Sequence, residues 1–268
     1  MDLLHAIVLG ILQGLTEFLP VSSSAHLSLA PWLFGWDDPG LSFDVALHVG
    51  TLVAVLWYFR REWLSIAAAA IAIAQTRRVD TLEKRQAVFL VIATIPGGVA
   101  GLLFNKMAEE AFRAPTLTAT ALVVMGTLLW WADRAAPQDR GLEAVTWRDA
   151  LLIGCAQMFA LIPGVSRSGS TITAGRLLRL DRQSAAVFSF LMSMPITAAA
   201  ALVKVPHALR EHGPSVELAA GVLAAGISSA LAINVLLKYV SKHSYGVFAL
   251  YRWALALVVF AVAFLRHG

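Results

Sequence analysis

Six stretches of this 268-residue chain are apolar for all or nearly all of the length that crosses a membrane: roughly 41–59, 86–104, 116–132, 184–203, 216–237 and 246–265. A bilayer's hydrocarbon core takes about 20 helical residues, and a chain with this many such runs has few folds open to it. Ala, Leu and Val dominate without strand-like alternation, so the runs predict helices. Their length and uniform apolarity argue against a transmembrane β-barrel. Charge leads to the same place. Asp, Glu, Lys and Arg make up 14% of the residues, against about 25% in soluble domains. That is too few to cover the water-facing surface of a compact chain this size. Disorder and coiled coil are excluded as well. The expectation is an all-α polytopic membrane protein whose residues 1–268 form one integral domain.

Several function classes fall away early. The single cysteine, Cys155, permits no intrachain disulfide and no Cys-based zinc or iron–sulfur site. The net charge of +4 is spread between apolar runs and forms no basic stripe, so no nucleic-acid partner is expected. The N-terminal run imitates a signal peptide. It has no Lys or Arg before Arg60, and Glu17 interrupts it, so cleavage is not expected.

Two further apolar segments, 3–33 and 149–179, are broken near the middle. The first break is Pro20-Val21-Ser22-Ser23-Ser24-Ala25-His26, and the second is Pro163-Gly164-Val165-Ser166-Arg167-Ser168-Gly169-Ser170-Thr171. Each flanking half is roughly 13–17 residues, too short to span comfortably. Both segments predict re-entrant helical hairpins that enter and leave on one side. Non-helical backbone at membrane depth persists only where protein or a water-filled cavity satisfies it. The hairpins should therefore point at each other inside the bundle.

An offset of 144 places Gly10 on Gly154, Gln13 on Gln157, Ser22 on Ser166 and Ser24 on Ser168. Each half then holds one hairpin and three spans, repeat one at 1–133 and repeat two at 147–268. An odd number of crossings inverts the second copy, giving an inverted-topology repeat whose broken helices meet near the midplane. Charge sorting agrees. Segments 60–85, 133–149, 176–182 and 238–243 carry 14 basic residues on one side. The other side holds Lys106, Arg113, Lys204, Arg210 and Arg266, while Arg167 and Arg252 fall inside the bundle. By the positive-inside rule the first side is cytoplasmic.

The breaks carry the candidate chemistry. Gln13 and Glu17, spaced i,i+4, share one helix face just before the first break. A carboxylate inside a membrane is costly unless paired or ligated, so Glu17 reads as functional rather than as a helix-end residue near the headgroups. His26 alone is more often a hydrogen-bonded packing residue. Beside Glu17 and the hydroxyls of Ser22, Ser23 and Ser24 it is a candidate acid or base. At the second break, helix-start N–H groups and the hydroxyls of Ser166, Ser168 and Thr171 suit an anion. Gly169 permits close approach, and Arg167 offers planar donors for phosphate oxygens. Arg167 equally suits a structural pairing with Glu17 between the hairpins. Asp44 and His48, i,i+4 on the first span, support the site or merely cap and pack. Arg252 reads as structural or snorkelling. Together these groups suit a phosphate carried on a lipid.

The segments Q-G-L-T-E-F-L-P-V-S-S-S-A-H at 13–26 and P-G-V-S-R-S-G-S-T at 163–171 resemble the two signatures of the undecaprenyl-diphosphatase family, also called the bacitracin-resistance type. The resemblance extends over essentially the whole chain, including F-D-V-A-L-H-V-G-T-L at 43–52 and Y-R-W at 251–253. It implies hydrolysis of undecaprenyl diphosphate to the monophosphate carrier lipid of cell-wall synthesis. It also implies a multi-pass protein of the bacterial inner membrane with a site reached from the periplasmic side, and a divalent metal, Mg²⁺ or Ca²⁺. Carried over by position, Glu17, Ser23, His26 and Arg167 are the catalytic set. Ser22, Ser166, Arg167, Ser168, Gly169 and Thr171 are the phosphate contacts, and Glu17 with Gln13 is the metal set. Many members carry Glu where this chain has Gln13, a neutral ligand, which leaves the carboxylate work to Glu17. Either Ser23 or water is the nucleophile on this reading. A polyprenyl-phosphate transporter or flippase is the rival, since the same architecture serves transport. Ala-rich and Gly-rich faces permit a homodimer without requiring one.

Overall fold

The computed structural model describes residues 2–37, 39–111, 114–212 and 215–267, without the side chains of residues 41, 105–111, 204, 207–212 and 267. Arg113 and the side chains of Lys106, Lys204 and Arg210, which enter the charge count, therefore lie outside the described residues. The described residues form α1 (Leu3–Phe18), α2 (Ser23–Phe34), α3 (Leu41–Tyr58), α4 (Arg60–Thr76), α5 (Leu82–Ala111), α6 (Pro115–Ala135), α7 (Trp147–Met158), α8 (Arg167–Leu177), α9 (Arg182–His212), α10 (Val216–Val240) and α11 (Gly246–His267). No strand ladder joins them among these residues.

Five helical segments are long and apolar enough to cross a membrane: Leu82–Phe104, Pro115–Ala135, Arg182–Val203, Val216–Val240 and Gly246–Arg266. Their outward faces are unpaired apolar surface, with Leu102 89% and Leu202 78% exposed, as expected of a protein solvated by lipid. The chain is a multi-pass helical membrane protein. The expected span over 41–59 takes a different form. Here α3 meets α4 at Phe59 with a bend of 83°, and only the pair together passes the length test. Residues 60–85 read from sequence as a basic segment between spans, because Arg60, Arg61, Arg77, Arg78, Lys84 and Arg85 fall within it. The Ala-rich run inside it, Ala67–Ala70 with Ala72 and Ala74, is strongly helix-forming and makes its first part α4. The helices flanking the two breaks are 16, 12, 12 and 11 residues long, too short to cross.

The 144-residue offset recurs in the backbone. Asp2 caps α1 by accepting from the His5 N–H, and Thr146 caps α7 by accepting from the Asp149 N–H. Ser22 and Ser166 cap α2 and α8 at φ 77° and 73°. Gly35 and Arg179 follow at φ 69° and 70°. Each hairpin's first helix packs on a span from the other half, α1 on α10 and α7 on α5. A glycine makes each approach possible. A Cβ on Gly10 would fall 2.3 Å from the Gly221 carbonyl oxygen, and one on Gly154 would fall 2.4 Å from that of Ala93.

Ion pairs pin the end of the bundle where α7 begins and α8 ends. Asp133, fully enclosed, accepts from Arg176 Nε at 3.0 Å, from Arg182 Nε at 2.8 Å and from the Tyr245 N–H at 2.9 Å. Arg179 pairs with Asp139. Arg140 pairs with Asp149 at 2.6 Å and donates to the Leu178 carbonyl at 2.8 Å. Burial pushes the Asp149 carboxyl up. The hydrogen bonds from Arg140 and Thr146 outweigh it and hold the group below its ordinary range. Basic residues counted for topology thus also tie elements together.

Candidate active site

Each break begins at a proline, Pro20 or Pro163, whose ring leaves the preceding residue extended rather than helical. Each ends at a serine in the left-handed region, where non-glycine residues are uncommon and costly. The Ser22 Oγ accepts from the Ala25 N–H at 3.3 Å, and the Ser166 Oγ from the Gly169 N–H at 3.0 Å. The first helical residues after the caps are Ser23 and Arg167, which are 144 apart. The fold brings these two equivalent positions to one carboxylate.

Arg252 holds the breaks. It is fully buried on α11, and its Nη1 donates to the Pro20 carbonyl at 3.1 Å. Its Nη2 donates to the Gly164 carbonyl at 2.5 Å and the Val165 carbonyl at 2.9 Å, and its Nε to Leu122 at 3.3 Å. One guanidinium thus supplies donors to carbonyls at both interruptions, where lipid offers none.

Glu17 is the centre of the site and is buried. Its Oε1 accepts from Arg167 Nη2. Its Oε2 accepts from the Ser23 hydroxyl at 2.5 Å and from Gln13 Nε2 at 3.0 Å, and His48 Nε2 stands 3.6 Å away. Arg167 Nη1 also donates to Thr197 at 3.2 Å. The carboxylate and guanidinium compensate each other's charge, which burial requires. A hydroxyl whose proton points at a carboxylate is the arrangement of a nucleophile with its base.

These groups line a cavity of about 770 Å³. Glu17, Ser23, Ser24, His48, Ser166 and Arg167 form its polar end. Away from them the walls become apolar, with Gly98, Gly101 and Leu102 of α5 facing Ile196, Ala200 and Val203 of α9. Leu102 and Val203 are also lipid-facing, so the cavity reaches the outer surface between these helices.

Not every expected residue comes to this cavity. Ser168 donates to the Leu19 carbonyl at 3.1 Å, tying α8 to the first break. Thr171 bonds Ser189 at 2.6 Å and the Arg167 carbonyl at 2.8 Å. A Cβ on Gly169 would fall 2.7 Å from Arg252 Nη1, so this glycine makes room for the arginine. Ser22 acts as a cap. His26 sits apart from Glu17, with Nδ1 2.7 Å from the Ser22 carbonyl and Nε2 2.7 Å from the Tyr251 hydroxyl. The imidazole beside the carboxylate is that of His48, whose Nδ1 lies 2.8 Å from the Asp44 carbonyl. Among the described residues no three His, Cys, Asp or Glu side chains converge as a metal cluster. The Gln13 Oε1 is buried and without a hydrogen-bond partner there.

With this geometry in view, comparison with known proteins is informative. Residues 6–258 match the model of a family described as bacitracin resistance protein BacA. An undecaprenyl-diphosphatase of Gemmatimonas aurantiaca is 64% identical over 97% of this chain and 98% of its own. Proteins of the same name from Moorella thermoacetica and Pelotomaculum thermopropionicum are 49% and 46% identical, covering 100% of this chain and 100% and 99% of theirs.

Proposed function

The chain belongs to the bacitracin resistance protein BacA family, and from that premise we propose that it hydrolyses undecaprenyl diphosphate to undecaprenyl phosphate and inorganic phosphate. The observation that carries the reading is the Ser23–Glu17–Arg167 arrangement at the polar end of a cavity that opens to lipid. The apolar groove between α5 and α9 takes the prenyl chain, and the diphosphate meets the breaks. Transport needs binding but no nucleophile, so the Ser23–Glu17 pair favours the hydrolase over a carrier.

Ser23 is the nucleophile on this reading. Its Oγ attacks the terminal phosphorus, its proton passes to Glu17 and on to the leaving phosphate oxygen, and the anhydride bond breaks to release the lipid monophosphate. Glu17, a carboxylate again, then takes a proton from water, which attacks the phosphoserine; the proton returns to Ser23 Oγ as that bond breaks and frees inorganic phosphate. Arg167, released from Glu17 as that carboxylate is protonated, holds the equatorial oxygens and offsets their charge. The His48 imidazole stands beside the Glu17 carboxylate, its Nε2 3.6 Å from Oε2. His26 with Tyr251 braces the Ser22 carbonyl and keeps Ser23 in place. The donor set suits a cation shared with the diphosphate rather than an all-protein cage. Glu17 and the unpartnered Gln13 Oε1 would hold it, substrate oxygens completing the shell. When bound, such a cation supplies charge compensation on the leaving oxygens.

The short helices α1, α2, α7 and α8 form re-entrant hairpins in an inverted repeat, and the arginine-pinned end lies in the cytoplasm. The site then opens toward the periplasm from the inner membrane. The test is phosphate release from undecaprenyl diphosphate by the purified protein, with acid-quench trapping of phosphoserine. Wild type should release phosphate and label at Ser23, and Ser23→Ala should do neither. Full turnover by a folded Ser23→Ala protein would transfer the attack to water.

A further inference from the structure

Gln157 is the 144-residue counterpart of Gln13, and the two amides are used differently. Gln13 donates to Glu17 four residues on. The position four residues after Gln157 is Leu161, so this amide has no carboxylate to serve. Gln157 lines the cavity, is only 4% exposed, and has neither Nε2 nor Oε1 hydrogen-bonded among the described residues. Buried side-chain amides are seldom left so. The space it occupies is kept open for it. A Cβ on Gly97 would fall 2.3 Å from Gln157 Nε2, and Gly97 lines the same cavity at the start of its apolar groove. The amide therefore stands where the polar end passes into the lipid-facing part.

Resting on the proposed hydrolase reading, we infer that Gln157 donates its amide N–H to the phosphate that stays on the lipid. With the terminal phosphoryl at Ser23 and Arg167 and the prenyl chain between α5 and α9, the inner phosphate is the substrate group that passes this neck. An uncharged donor there holds substrate and lipid-monophosphate product alike, so it governs affinity and leaves the chemical step alone.

The test compares wild type, Gln157→Leu and Gly97→Ala in kcat, KM, inhibition by undecaprenyl phosphate and thermal stability. In Gln157→Leu, KM and the product inhibition constant should both rise about tenfold, the loss of one hydrogen bond to a charged group. The kcat should stay within about twofold, and stability should not fall, because an unpartnered buried amide has been removed. Gly97→Ala, which displaces the amide, should move the same two constants in the same direction. Unchanged KM and product inhibition in a folded Gln157→Leu protein would overturn the inference, as would a loss confined to kcat. Direct binding of undecaprenyl phosphate to wild type and Gln157→Leu separates the two readings. If wild type released no phosphate, the hydrolase reading would fail, and equal binding by both proteins would sink the Gln157 assignment on its own.

Discussion

The two hairpins share a backbone and differ in almost everything that does chemistry. Ser22 and Ser166 cap at matching positive φ, Gly10 and Gly154 admit matching spans, and Arg252 reaches both breaks. Position by position, however, Ser23 faces Arg167 and Glu17 faces Leu161. The first hairpin carries the acceptor and the hydroxyl, and the second carries the cation. Their outer ends differ too. The second is pinned through Asp133, Asp139 and Asp149. At the first, Arg266 donates to the Trp32 and Leu33 carbonyls, and Asp2 caps α1. A repeated frame supplies the position, and divergence at a few side chains supplies the reaction. The second hairpin is the more heavily anchored, and the reaction draws on both.

Removing the shared clamp should have the largest effect. Arg252→Met leaves buried carbonyls without donors at both breaks, a cost of about 4 kcal/mol or more. Thermal melting in detergent should drop steeply and turnover should vanish; a stable, active variant would mean the breaks are held by something else. Next comes the asymmetry of the reaction itself. Glu17→Leu should lower phosphate release by about 10²–10³-fold, the scale for losing one preorganised catalytic group. Adding Leu161→Glu, which puts a carboxylate at the equivalent place in the other hairpin, should restore nothing, because the first helical residue after the neighbouring cap is Arg167 instead of a serine. Recovery to within tenfold of wild type would show that the halves are chemically interchangeable.

A smaller loss is expected from the anchored end. Asp133→Ala leaves Arg176 buried without its counter-charge and should cost about 3 kcal/mol in stability. Molecules that remain folded should keep kcat near wild type, because the tie is remote from Glu17. The smallest effects sharpen the likeness of the two frames. Ser22→Gly and Ser166→Gly each lose a cap but relieve a positive φ, and glycine is a fair cap. Both should change stability by less than about 0.5 kcal/mol and by equal amounts. Unequal melting shifts would show that the two turns bear different loads.

Much of this was legible in the chain. Apolar runs of spanning length and prolines within two others fix the class of fold, because lipid leaves few alternatives. Glu17 and Arg167 were readable as costly charges in apolar surroundings, whereas Ser23 was set apart from Ser22 and Ser24 only by the family resemblance. The helix α4 was hidden by the charges that open it. The hydroxyls of Ser22, Ser168 and Thr171 read as phosphate contacts because capping and ligand binding demand the same residue types. Arg252 read as structural or snorkelling, but what it holds was not legible, since its partners are backbone carbonyls as far as 232 positions away, and carbonyls leave no mark on composition. His48 left only a spacing to Asp44, equally suited to packing. Which imidazole reaches Glu17 is a matter of how α3 lies on α1.

The position of Arg252 also bears on how the molecule is made. A ribosome releases the Pro20 and Gly164 carbonyls long before residue 252. Throughout that interval both turns lack the donor that later holds them, and hydrocarbon offers no substitute. Until α11 arrives, those carbonyls need another donor, from water or from neighbouring protein groups. Assembly of the reaction centre is then a late event in synthesis, timed by the insertion of one arginine.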